Sequence, residues 1–131
     1  MVDELNQVRQ SIVDTLIRHT TVNGVNSTKI HPLHLFKATE LTRCDANVYK
    51  PSLILTVQGA KSLFLYCENQ SFNQGECLIS SIDIPITSNI TSASEHTPYF
   101  SLVFELDLAT ISSLMVEMGF KVNVSMSIFL R

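Results

Sequence analysis

Between residues 51 and 107 the chain alternates short apolar runs with turn residues, at spacings of roughly ten. The first run is Pro51-Ser52-Leu53-Ile54-Leu55-Thr56-Val57-Gln58, followed by Gly59-Ala60-Lys61 and a second run, Leu63-Phe64-Leu65-Tyr66. The pattern predicts two strands joined as a β-hairpin, with Gly59 supplying positive φ at the first turn position. Pairing across that turn sets Gln58 opposite Lys61, Thr56 opposite Leu63 and Ile54 opposite Leu65 on one side. Leu53, Leu55 and Val57 fall on the other side with Tyr66, Phe64 and Ser62. Both sides are apolar, and a ribbon with no wet face must be wrapped into a barrel or sandwich.

The pattern on either side of this ribbon supplies the remaining elements. Leu5, Val8, Ile12, Leu16 and Ile17 recur at helical spacing, which predicts an amphipathic helix over about 3–19. Leu33 to Lys37 reads as a strand, and the polar stretch from Thr42 to Lys50 as a loop running into Pro51. Asn73-Gln74-Gly75-Glu76 is a tight turn feeding a strand over Cys77 to Ile82, which Pro85 ends or bends. Ile86 to Ala93 is a weaker strand, Ser94 to Thr97 a loop, and Tyr99 to Leu106 the last strong strand. At Asp107, a good N-cap, the period changes: Leu108, Ile111, Leu114, Met115 and Met118 share a helical face that Gly119 terminates. Residues 119–131 alternate like one more strand. These elements predict a single mainly β domain: an N-terminal helix, a small β-barrel or jelly roll over about 20–106, a helix over about 107–118 and a tail.

Composition narrows the function classes. A chain of 131 residues with 45% hydrophobic and 16% charged positions has enough apolar surface for one core. The net charge is −3 and the nine Lys and Arg residues are scattered, so the basic stripe of a nucleic-acid binder is missing. Asp3, Glu4, Arg9 and Asp14 interrupt the first twenty residues, which argues against a signal peptide or membrane span and for a cytoplasmic protein. Cys44, Cys67 and Cys77 are an odd number without paired spacing and read as reduced core thiols.

At this point particular residues carry a resemblance. Pro51-Ser52-Leu53 leading to Gln58-Gly59-Ala60-Lys61, Tyr66 with the Gly75-Glu76 turn, Leu78 to Thr87 containing Asp83-Ile84-Pro85, and Ala93-Ser94 with Pro98-Tyr99 together resemble the N-terminal domain of AraC-type transcriptional regulators. The likeness spans about Leu41 to Met118 and departs at Cys67, where a glycine is common. It implies a cupin-like barrel that senses a small molecule, followed in full-length relatives by two helix-turn-helix units that bind DNA. The residues after Met118 offer no pair of DNA-reading helices, so the chain reads as the sensor domain alone, with DNA bound only through a C-terminal domain.

Candidate ligand-binding residues are side chains with a polar handle or apolar bulk expected to project into the barrel: His34, Phe36, Leu55, Thr56, Phe64, Tyr66, Ser80 and Tyr99. Each also serves as plain core filling, and the alternation does not say which ribbon face looks inward. Gln58 and Lys61 read as residues that frame the turn, and His96 as a loop histidine in solvent.

The rival reading is a metal-dependent cupin enzyme. Metal ligation there needs two His with one residue between them on one strand face, plus a carboxylate and a later His, whereas His31 and His34 are three apart, on opposite faces of a strand, and the corresponding strand reads Leu53-Ile54-Leu55. No metal, other cofactor or catalytic residue is therefore expected. A third reading is a non-catalytic binding or interaction module. Either helix face offers a surface for a second copy in a homodimer, or for the barrel itself.

Overall fold

The computed structural model describes residues 2–65, 67–119 and 128–130. Helix α1 (Val2–His19) leads into β1 (Gly24–Ser27), β2 (Leu33–Ala38), β3 (Asp45–Tyr49), β4 (Ser52–Gln58), β5 (Ala60–Leu65), β6 (Glu68–Phe72), β7 (Cys77–Ser80), β8 (Ile84–Ser92) and β9 (Tyr99–Glu105). Helix α2 (Leu108–Glu117) and β10 (Ile128–Leu130) complete the described chain. The tail expected to be one strand thus contributes β10, and residues 120–127 and 131 lie outside the described residues.

The strands form two antiparallel sheets. One has the order β1-β2-β9-β4-β7-β10 and the other β3-β8-β5-β6. Setting aside β1 and β10, the order β2-β9-β4-β7 over β3-β8-β5-β6 is that of a jelly roll: a long ribbon folded back between β5 and β6, where Leu65 lies opposite Glu68, and rolled up so that β4 nests with β7, β3 with β8 and β2 with β9. The Asn73–Glu76 turn carries the chain from β6 in one sheet to β7 in the other, and is closed by the Glu76 N–H donating to the Asn73 carbonyl at 3.0 Å and the Asn73 N–H donating to Glu76 Oε1 at 2.9 Å. Of the small β-barrel or jelly roll anticipated from the strand pattern, the jelly roll is the fold observed.

The hairpin at Gly59 is not. β4 pairs with β7 and β9, whereas β5 pairs with β6 and β8, so the chain crosses from one sheet to the other at Gly59. Thr56 lies opposite Ser101, and Leu63 opposite Gln70 and Ser88. Gly59 has φ +81°, and a Cβ added there would sit 2.5 Å from the Ser92 carbonyl oxygen and 3.0 Å from Tyr99 Cα. A sheet-crossing corner this crowded has room for no side chain.

The corner preserves alternation, so the division into two faces survives although the pairing does not. Ile54, Thr56, Gln58, Lys61 and Leu63 are buried. Ile54 and Leu63, from opposite sheets, meet in a core with Phe72, Leu78, Ile84 and Ile86. The opposite face of β4 is apolar because α1 covers it: Val57 packs with Val13, Leu16, Leu35 and Phe100, with Leu55 at the margin. Only part of the expected helical stripe docks. Of that stripe Leu16 is buried and Ile12 half-buried, while Leu5, Val8 and Ile17 are exposed; Val13, outside the expected stripe, is buried beside Leu16.

Other departures have local reasons. The stretch expected to be a loop contains β3, an edge strand whose residues 45–48 are exposed and therefore carry no apolar alternation. The strand expected through Ile82 stops at Ser80, and Pro85 is instead the second residue of β8. Since β5 pairs with β8 between residues 87 and 92, the missing proline N–H removes no bond from that ladder. The thiols are free, but Cys44 and Cys67 are exposed and Cys77 half-buried, so they are not core residues. Cys67 has φ 62°, the left-handed conformation that a glycine would adopt more readily. In α2, Asp107 caps the N-terminus as expected, but no residue of the helix is buried.

Candidate functional site

Rolling the ribbon into a barrel leaves one end of the interior incompletely filled. A cavity of about 480 Å³ opens there between the two sheets, walled by Phe36, Ile54, Ile90, Tyr99, Ser101 and Val103, with Tyr49, Lys61 and Ser88 projecting from the second sheet. Such a volume holds a small organic molecule, and mostly apolar walls with a few polar groups suit one.

The polar groups are fixed by the strands that carry them. Tyr99 begins β9 and is fully buried; its ring meets that of Phe36 edge-on, with centroids 6.0 Å apart, and its hydroxyl lies 3.5 Å from Thr56 Oγ1. Lys61 follows the Gly59 corner, which turns it inward to 6% exposure. Its Nζ donates to the Tyr49 hydroxyl at 3.5 Å and lies 5.3 Å from the centroid of the same ring. The Tyr49 hydroxyl in turn donates to Ser88 Oγ at 3.4 Å.

Charge is distributed unevenly between the interior and the rim. Asp45, Lys50 and Glu105 line the cavity from exposed positions, and Glu105 Oε1 is 3.3 Å from His34 Nε2. Among the described residues no carboxylate pairs with Lys61. Its ammonium is held by a phenol oxygen and a ring face, weak compensation for lost hydration.

The residues proposed from sequence divide accordingly. Phe36 and Tyr99 line the cavity. Thr56 touches it through Tyr99, and His34 stands beside the rim at Glu105. Ser80 is buried, but its hydroxyl is spent on the Ile82 carbonyl at 2.6 Å. Two residues expected to project inward do not: Leu55 packs beneath α1, and Phe64 faces outward with 46% exposure. Tyr66 lies outside the described residues. Gln58 does frame the corner, donating to the Pro98 carbonyl at 2.8 Å. Lys61, expected to do the same, is instead in the cavity. Tyr49 and Ser88 escape the sequence reading, because β3 carries no apolar alternation and β8 has the pattern of a weak strand. The inward partner set of Ile54 and Thr56 was the available signal for Lys61.

A larger trough of about 780 Å³ runs between α1 and the outer face of β2 and β9. Of its polar residues Ser11, Thr15, His19, Ser27 and Lys29 are exposed, and the hydroxyl of half-buried Thr28 is spent on the Ile30 and Leu33 carbonyls, so it lacks converging buried groups. The interior cavity is the better-formed site.

Among the described residues no group of three or more His, Cys, Asp or Glu side chains is placed to hold a metal ion, and no helix is long and apolar enough to cross a membrane. His31 is exposed in the turn before β2.

The family described as the AraC-type transcriptional regulator N-terminus matches residues 29–129. No curated protein matches the chain. Among solved structures, a cupin-2 domain containing protein from Shewanella frigidimarina is similar, with TM-score 0.46 and 11% identity over 72% of this chain and 92% of that one.

Proposed function

The chain belongs to the AraC-type transcriptional regulator N-terminus family, and from that premise we propose that it is a regulatory domain that binds a small-molecule effector inside its barrel. The observation that carries this reading is the interior cavity, where Lys61, Tyr49 and Tyr99 place polar atoms among apolar walls. In this reading the domain is non-catalytic, acts in the cytoplasm and needs no metal. A separate helix-turn-helix domain reads DNA, and effector binding alters how the sensor domain presents it.

Self-association is the second part of the proposal. Helix α2 leaves Leu114, Val116 and Met118 exposed at 51%, 65% and 70%, and no α2 side chain is buried against the barrel. An apolar helix so exposed is a docking surface for a second copy.

Tyrosine fluorescence tests the effector site directly. The chain has no Trp and three Tyr, of which Tyr49 and Tyr99 line the cavity. Ligands that fill the interior change the emission and raise the melting temperature together. Ligands that raise the melting temperature without affecting these tyrosines place the binding site elsewhere.

A further inference from the structure

We propose that the effector is a small monocarboxylate with an apolar or aromatic body, whose carboxylate pairs with Lys61. This inference rests on the interior cavity being the effector site, and it adds the ligand's chemistry.

Among the described residues Lys61 is the one charged side chain that is buried, at 6% exposure. An ammonium has three donors. Lys61 donates one long hydrogen bond, 3.5 Å to the Tyr49 hydroxyl, and lies over the ring face. A buried cation left without an anion is costly, and burial of ions is tolerated when pairing and hydrogen bonds compensate. A ligand carboxylate entering the cavity supplies both. Phe36, Ile54, Ile90 and Val103 then enclose its apolar body.

The rim limits the ligand to a single anionic group. Asp45 and Glu105 line the same cavity from exposed positions, and Glu105 is already beside His34. A second carboxylate extending from the body would approach these acidic side chains, and like charges at close range oppose binding. Lys50, also exposed, offsets part of that field without reaching the buried position.

Isothermal titration of the purified chain with benzoate and hexanoate, against benzamide, hexanamide and adipate, provides the test. In parallel, methyl NMR follows Ile54, Ile90 and Val103. The expected result is that the monocarboxylates bind on the order of 10- to 100-fold more tightly than their amides, as for a hydrogen bond to a charged group. Adipate should bind more weakly than hexanoate, and Lys61→Met should erase the preference for carboxylate over amide. Equal binding of amides and carboxylates, or a preference that persists in Lys61→Met, would overturn the carboxylate inference while leaving the cavity reading intact. If none of these compounds moves the three methyl signals, the inference fails. If a broader set of neutral and cationic compounds also leaves them unmoved, the effector-cavity reading fails with it. The wild-type comparison decides the matter even if Lys61→Met does not fold.

Discussion

Lys61 Nζ stands 3.5 Å from the hydroxyl oxygen of Tyr49 and 5.3 Å from the centroid of the same ring, inside a barrel where no carboxylate among the described residues reaches it. Sequence order alone gives no hint of this pairing. Tyr49 ends an edge strand of one sheet, and Lys61 enters that sheet two strands away, just after the Gly59 corner.

The unpaired ammonium makes a prediction about stability in the absence of ligand. Lys61→Met removes a buried charge and keeps an unbranched chain of similar reach. The variant should therefore be more stable than wild type, by on the order of 1 kcal/mol, because desolvation of the ion is relieved. Thermal melts of both proteins without ligand check this. A variant that melts well below wild type would mean that Lys61 is already satisfied within the fold.

Gly59 predicts a large effect in the opposite direction. Alanine there meets the Ser92 carbonyl at 2.5 Å and must hold φ +81°, so Gly59→Ala should destabilise by at least about 2 kcal/mol. Urea unfolding measures the change. A loss of less than about 0.5 kcal/mol, within the range of ordinary surface substitutions, would show that the corner can open.

That corner also explains how far the fold could be read from sequence. A glycine at positive φ between two apolar runs is compatible with a two-residue hairpin and with a crossing between sheets. Locally the two look alike, and only distant partners such as Ser101 and Ser88 decide between them. Because side-chain alternation passes through either connection, the face carrying Ile54, Thr56 and Leu63 was legible while its hydrogen-bond partners were not. β3 was missed for a different reason: as an exposed edge strand, its Asp45-Ala46-Asn47 start lacks an apolar face to betray it. Lys61 was assigned to the turn because a charge next to a glycine is usually solvated, and only the closed barrel turns it inward.

The cap of α2 gives a pH dependence. The Asp107 carboxylate accepts from the Thr110 hydroxyl at 2.8 Å and from the Thr110 and Ala109 N–H groups at 3.4 and 3.1 Å. The Thr110 hydroxyl first, and then these N–H groups, hold its pKa below the ordinary value of 3.8. Because the folded-state pKa is the lower one, the stabilisation is fully present above 3.8 and is lost as pH falls through the folded value. The amide proton shifts of Ala109 and Thr110 should titrate with a midpoint below 3.8, and Asp107→Asn should remove that titration. A midpoint at or above 3.8 contradicts the cap geometry.

Helix α2 predicts association. With Val116 65% exposed and Met118 70% exposed, the purified chain should be dimeric at tens of micromolar, and Val116→Glu should shift it to monomer without changing its melting temperature at low concentration. Light scattering coupled to size exclusion reads the mass. A wild-type monomer at millimolar concentration would remove α2 as a self-association surface.

The claim on which the account turns is that the barrel interior, not the trough beneath α1, receives the effector. A crystallographic soak with a library of small carboxylates and their neutral analogues tests this most directly. The predicted result is ligand density between Tyr49, Lys61, Tyr99 and Ser101, with carboxylate oxygens toward Lys61 Nζ. Density confined to the trough lined by Val8, Ile12 and Leu33, with the interior left empty throughout the library, would contradict it.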